Sequence, residues 1–211
     1  MVKKFLPLLI VVLILFLDQL IKVWVKTGYT LGENICDFGI LKFDFVENPG
    51  MAFGLSLGGD WSKYVFSLFR VGAVFLLAIY VIRLIKTNAN TFFICLVAMI
   101  FAGALGNILD NLFYGLLFSE SNPFTVAEFL PEKGGYAPFL MGNVVDMLHL
   151  YIRWPEWMPF DAPLGGNEVF PPVFNVADAS ISCSVFIIIL FYKKIIRKED
   201  VDFQWLKKNE A

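Results

Sequence analysis

The stretch Thr91–Phe113, TFFICLVAMIFAGALGNILDNLF, carries no charge before Asp110. A membrane-spanning helix needs about 20 mostly apolar residues, and this stretch supplies them, so the fold class is read from it. Ala102, Gly103 and Gly106 fit close helix packing. Three further runs qualify, and four spans are expected at residues 5–25, 61–85, 91–113 and 173–192. Only Lys86 to Asn90 separate the second from the third, so those two form an antiparallel hairpin. Composition agrees: the 211 residues are 58% hydrophobic and 17% charged, with a mean hydropathy of +0.68. Soluble domains run about 45–50% apolar and about 25% charged.

The first run resembles a signal peptide, with Lys3 and Lys4 ahead of it. It lacks a small-x-small cleavage site, and Asp18, Lys22 and Lys26 follow, so it reads as a retained first helix. Lys and Arg concentrate on one side: Lys3 and Lys4, Arg83 and Lys86, then Lys193, Lys194, Arg197 and Lys198. The positive-inside rule puts that side in the cytoplasm. The expected architecture is therefore an all-α membrane protein with four transmembrane helices and both termini cytoplasmic. A single domain covers residues 1–198, with outer loops at 26–60 and 114–172, and a polar, solvated cytoplasmic tail at 199–211. Ile40–Glu47 is rich in aromatic and β-branched residues and reads as strand, with a turn at Asn48-Pro49-Gly50 and an extended pattern resuming at Met51–Gly54, so a small extracytoplasmic β-sheet is expected. Met147–Trp157 mixes Trp, Tyr and Leu with Arg153 and Glu156 and reads as an interfacial segment.

Several function classes drop out. No basic patch suits nucleic acid. Cys36, Cys95 and Cys183 are scattered and form no disulfide or metal spacing. His149 is the single histidine, and no metal or cofactor motif occurs, so no cofactor is expected.

Four aspartates remain: Asp18, Asp110, Asp146 and Asp178. Helix geometry puts Asp18 about 10 Å below the outer end of the first span. Asn107 and Asp110 share a face near the outer end of the third, and Asn175 and Asp178 share one at the start of the fourth. Asp146 falls in the loop ahead of the interfacial segment. Asn-x-x-Asp thus recurs at 107–110, 143–146 and 175–178. Acids in a membrane are costly to bury and mark function, and paired carboxylates without a metal motif suit acid–base activation of water. Bland roles stand beside this one. Asp18–Lys22 is an i,i+4 ion pair, Asp178 a helix N-terminal acid, Asn175 a cap, Asp110 a helix-end hydrogen bonder and His149 an interface residue. Arg70, deep in the second span, either snorkels or faces the bundle. The other functional readings are an ion or solute pathway through Asp18, Arg70, Asp110 and Asp178, and a non-catalytic assembly subunit. The acids gather at one membrane face and do not step across it, which disfavours a pathway.

Five segments in order resemble one family. They are Asp18-Gln19-Leu20-Ile21-Lys22, Glu47-Asn48-Pro49-Gly50-Met51-Ala52-Phe53-Gly54, Gly103-Ala104-Leu105-Gly106-Asn107-Ile108-Leu109-Asp110, Val144-Val145-Asp146 and Phe174-Asn175-Val176-Ala177-Asp178. Together they resemble the motifs of lipoprotein signal peptidase (signal peptidase II). The resemblance implies an aspartic membrane endopeptidase of the bacterial cytoplasmic (inner) membrane, working without a metal toward the outer face. Its substrates would be diacylglyceryl-modified prolipoproteins, taken from membrane lipid and cut before the lipidated cysteine. The family's catalytic aspartates map onto Asp146 and Asp178. Asn48, Gly50, Asn107, Asp110, Asn175 and Ala177 fall at substrate-binding or site-shaping positions, and Asp18 and Lys22 at supporting ones. Asp178, nearer the apolar helix, is expected to be the neutral member of the dyad. The family usually has Arg directly after the helix-three aspartate, where this chain has Asn111. Residues 119–140 and 158–172 also enlarge the outer loop, as a lid or partner surface.

Arg70, entering from the second span, is the candidate for the missing cation. Arg70→Met should then cripple turnover while leaving the protein folded, and near-normal turnover in that variant would sink the assignment.

Overall fold

The computed structural model describes residues 2–49, 60–154, 168–169 and 172–201, without the side chains of residues 2–4 and 60. Helix α1 (Val2–Gly28) leads into strands β1 (Asn34–Asp37) and β2 (Leu41–Asn48). Helices α2 (Asp60–Lys86) and α3 (Thr91–Leu109) form the hairpin. A π turn (Asp110–Tyr114) and a last α turn, α4 (Gly115–Leu117), extend α3. Strands β3 (Val144–Leu150) and β4 (Val173–Phe174) precede helix α5 (Val176–Ile195). Among the described residues, four helices are long and apolar enough to cross a membrane.

Helix α3 is the axis of the bundle. Its apolar window is 56% buried, against 11–17% in the other three, and it packs on α1, α2 and α5. Its partners leave large apolar side chains such as Leu9, Phe16, Phe69, Phe75, Phe186 and Ile189 exposed, a surface suited to lipid and not to water. Small residues let α5 approach: a Cβ at Gly103 would stand 2.4 Å from the Ala177 carbonyl oxygen. The α2–α3 turn is local chemistry. Asn88 takes a positive φ of 52°, which Asn tolerates better than most residues. Asn90 caps α3, its side chain accepting from the Phe92 and Phe93 amides.

The expected strand at Ile40–Glu47 is present as β2, in an antiparallel sheet of order β1-β2-β3-β4. Gly50 and Met51–Gly54 lie outside the described residues. Three expectations need correction. Asp146 is not in a loop: Val144–Leu150 pairs with β2 along its length and with β4 at Leu148 and His149, so the expected interfacial segment begins as strand. The fourth helix starts at Val176, because Val173 and Phe174 are drawn into β4 and Asn175 caps the helix. The tail is not wholly solvated either. Asp200 is buried, pairs with Arg197 at 2.8 Å and offers its carbonyl to the Tyr80 hydroxyl.

The enlarged loop folds back on the end of α3. Leu130, Tyr136, Ala137 and Gly142 donate their amides to carbonyls of Leu117, Phe118, Gly115 and Asn111. The π turn leaves helix-end carbonyls free to accept them. Gly142 lies so close that a Cβ would come within 2.2 Å of the Asp110 carbonyl oxygen. Beneath it Val25, Phe45, Tyr114, Phe118, Val145 and Met147 form the core that joins sheet to bundle.

Gly103→Ala should lower the thermal midpoint in detergent, since overpacking costs about 1–3 kcal/mol. Gly72→Ala, where an added Cβ meets nothing within 4 Å, should melt at or above wild type. Equal melting of the two variants would refute close α3–α5 contact.

Candidate active site

Asp18, Lys22 and Lys26 recur every four residues and so form one polar stripe on α1. Lys22 is fully buried. Its ammonium lies 2.9 Å from Asp18 and 2.8 Å from Asp110, and donates to Asn107 Oδ1 at 2.9 Å. Three helix segments, α1, α3 and the π turn, thus meet on one cation. Asp18 accepts in turn from the Ala177 amide at 3.0 Å, which fixes the first turn of α5. Gln19 donates to Asp110 at 2.9 Å and accepts from the Tyr114 hydroxyl. Asp18–Lys22 is an ion pair as the sequence suggests, but the pair is really a triad with Asp110.

On the other side of Asn107 the remaining two aspartates face one cavity of about 270 Å³. Asn48, Arg70, Asn107, Asp146 and Asp178 supply its polar lining, with Ala73, Val74 and Ile181 among the apolar walls. Two asparagines tie the acids together. Asn107 Nδ2 donates to Asp178 Oδ1 at 2.8 Å, while Asn175 Nδ2 donates to Asp146 Oδ1 at 2.7 Å and to Asn107 Oδ1 at 2.9 Å. Asn175 also caps α5 reciprocally with Asp178: the Asp178 amide donates to its side chain, and its own amide donates to Asp178 Oδ2. The capping and site-shaping readings of Asn175 are therefore one arrangement.

Asp146 is 3% exposed. Burial first, then the charge of Asp178, push its carboxyl up to about 7, against the opposing pull of Lys22 and the Asn175 hydrogen bond. The surroundings of Asp146 thus favour its neutral form.

Arg70 faces the cavity and donates from Nη1 to Asn111 Oδ1 at 3.0 Å. The cation from α2 therefore reaches the residue at which the sequence lacks one. Asp18 and Asp110 do not line the cavity, and Ala177 is a buried backbone donor. Gly50 lies outside the described residues. His149 is a sheet residue; its ring nitrogens sit 2.6 Å from Asp44 and 3.3 Å from Glu168. Sequence reasoning missed Gln19, Lys26, Glu47 and Asn143 as organising residues. The four-residue stripe on α1 was a signal for Lys26, and the Asn-x-x-Asp recurrence was one for Asn143.

A family model described as signal peptidase (SPase) II matches residues 10–194. The chain is 39% identical over 193 residues to the lipoprotein signal peptidase of Porphyromonas gingivalis strain ATCC 33277, covering 89% of this chain and 82% of that one. Identity to the lipoprotein signal peptidase of Amoebophilus asiaticus is 31% over 188 residues, covering 86% and 75%. A solved bacterial membrane enzyme, determined by the in meso method at 2.3 Å resolution, shares the fold. Its TM-score is 0.57 at 22% identity, covering 91% of this chain and 90% of that one.

Removing Lys22 would leave Asp18 and Asp110 buried without a counter-charge. Lys22→Met should cost about 3–5 kcal/mol, seen as loss of monodisperse protein in detergent. Wild-type melting of Lys22→Met would contradict the triad's role.

Proposed function

This chain belongs to the signal peptidase II family of membrane proteases, and we propose that it removes signal peptides from diacylglyceryl-modified bacterial prolipoproteins. In this reading it is an aspartic endopeptidase that cuts before the lipidated cysteine, with Asp146 and Asp178 as the catalytic pair. The observation that carries the proposal is the convergence of these two acids on one cavity, each held by an asparagine.

The chemistry follows from their surroundings. Two close carboxyls do not both ionise cheaply. Asp146, raised to about 7, keeps the proton and hydrogen-bonds the scissile carbonyl. Asp178 accepts N–H donors at both oxygens and still has lone pairs for a water. It takes the proton as the water attacks, Asp146 gives its own to the carbonyl oxygen, and a tetrahedral diol forms. Collapse of the diol breaks the C–N bond, and the leaving amine takes a proton from the pair. Arg70, paired with Asn111, supplies positive charge beside the reacting centre, while Asn48 and Asn107 offer polar groups to the peptide.

Location suits the substrate. The Lys and Arg distribution puts both termini in the cytoplasm of a cell with this protein in its inner membrane. The sheet end and the cavity then lie at the outer face. A signal peptide arrives as an apolar helix, and its lipidated cysteine sits where the helix leaves the hydrocarbon. A cavity walled by α2, α3 and α5 and roofed by β3 meets the chain at that depth, and the sheet cradles the part beyond.

The test is cleavage of a diacylglyceryl-modified prolipoprotein by purified protein. Wild type should cleave, with a bell-shaped kcat/KM profile whose alkaline limb falls as pH rises through about 7, where Asp146 loses its proton. Asp146→Asn and Asp178→Asn should each lose activity, and chelators should leave the rate unchanged. Activity that disappears with EDTA and returns with zinc would exclude the aspartic mechanism.

A further inference from the structure

We infer that Asn143, gripped between Glu47 and Lys63, is a positioning residue that braces the Asp146 strand against α2. Its catalytic consequence rests on the peptidase reading above. Asn143 directly precedes β3. Its Oδ1 accepts from Lys63 Nζ at 2.9 Å, its Nδ2 donates to Glu47 Oε2 at 2.9 Å, and its amide donates to the Tyr136 hydroxyl at 2.6 Å. Three of its hydrogen-bonding groups therefore tie α2, β2 and the enlarged loop to one point.

Both partners are anchored in turn. Glu47 is ion-paired with the fully buried Lys26, and its Oε1 accepts from Ser121 Oγ at 2.7 Å. Lys26 also donates to Ser121 at 2.8 Å and lies over the Tyr136 ring at 5.0 Å. Lys63 donates a second time, to the Met141 carbonyl at 2.8 Å. One turn on, Ser67 donates to the Leu140 carbonyl at 3.0 Å, and Arg70 reaches Asn111. Lys63, Ser67 and Arg70 stand at i, i+4 and i+7, so a single side of α2 makes all of these attachments.

Strand alternation shows what the brace supports. Asn48 pairs with Val144, and Glu47 with Val145. Successive residues point to opposite faces. Asn48, Val144 and Asp146 therefore face the cavity, which they line, while Glu47 and Asn143 stand on the opposite face. The brace thus holds the back of the strand pair that presents Asn48 and Asp146, and connects it to the helix that presents Arg70. It sets the span between the strand pair and α2, whereas the Lys22 triad ties α1, α3 and α5 together and reaches β3 through the Val145 amide. A misplacement of about 1 Å can cost up to about 100-fold in rate.

The test uses the full chain in detergent with diacylglyceryl-modified prolipoprotein. Lys63→Met and Asn143→Ala should each lower kcat about tenfold with KM within about twofold, and should shift the alkaline limb of the pH profile. The double variant should be no worse than the poorer single one, as for partners in one network, and Lys63→Arg should recover most of the rate. Spin labels at the exposed Ile40 and Val65, with the native cysteines replaced, should show a broadened distance distribution in Lys63→Met and Asn143→Ala. Full kcat in both variants, losses that multiply, or a rise in KM alone overturns the inference. If Asn143→Ala fails to fold, the Lys63 pair decides it by the same criteria. Wild type that does not cleave overturns the peptidase reading instead. The label distances then decide the brace alone: broadening supports it and an unchanged distribution overturns it.

Discussion

The structure depends on one buried ammonium. Lys22 has no exposure, yet sits among two carboxylates and an asparagine oxygen. A charge in that position is tolerated only when paired and hydrogen-bonded, so each partner must arrive in register: Asp18 from the same helix, Asn107 from α3 and Asp110 from the π turn. The requirement propagates. Asp18 reaches past Lys22 to the Ala177 amide, which places the start of α5, and Asp110 Oδ2 accepts from the Val145 amide at 3.4 Å, which places β3. The two acids facing the cavity therefore hang from the two acids that do not.

The asparagines divide the labour. Asn107 touches Lys22 with its oxygen and Asp178 with its amide nitrogen, coupling the structural triad to the cavity. Asn175 ends the sheet, begins α5 and touches Asp146. Asn143 braces the strand from behind. A neutral amide suits these places because it donates and accepts at once and adds no charge to a site already holding several. Asp146 shows the result: buried, beside Asp178, and held by only one of these amides, its carboxyl rises to about 7.

Much of this was legible from the chain. The four apolar runs, the tight α2–α3 link and the β2 strand follow from hydropathy, length and β-propensity, which act locally. Most of the residues assigned to the site from motifs line the cavity or bind its walls, as Asn48, Asn107, Asp146, Asn175 and Asp178 do, and Arg70, chosen for its depth in the second span, lines it too. Other details were hidden. Asp146 reads as a loop residue because Val144–Leu150 has no partner until β2 and β4 are folded beside it. The raised carboxyl of Asp146 is hidden too, because it comes from burial and from the charge of Asp178, a residue of another element. Lys26 lies on the α1 stripe and Glu47 opens a motif segment, but their ion pair is not visible in the chain, where β1 and most of β2 separate them.

Sequence alone determined the membrane class, the helix count and the identity of the acids and amides, because hydropathy and residue chemistry belong to each residue and its near neighbours. The Asp18–Lys22 pair is local, but tertiary structure decided that Asp110 joins it and that Asp146 and Asp178 face the cavity. It also decided which carboxyl is pushed toward neutrality and which amide braces the strand. Those properties are set by groups dozens of residues away, whose distance and desolvation exist only once the chain has closed around them.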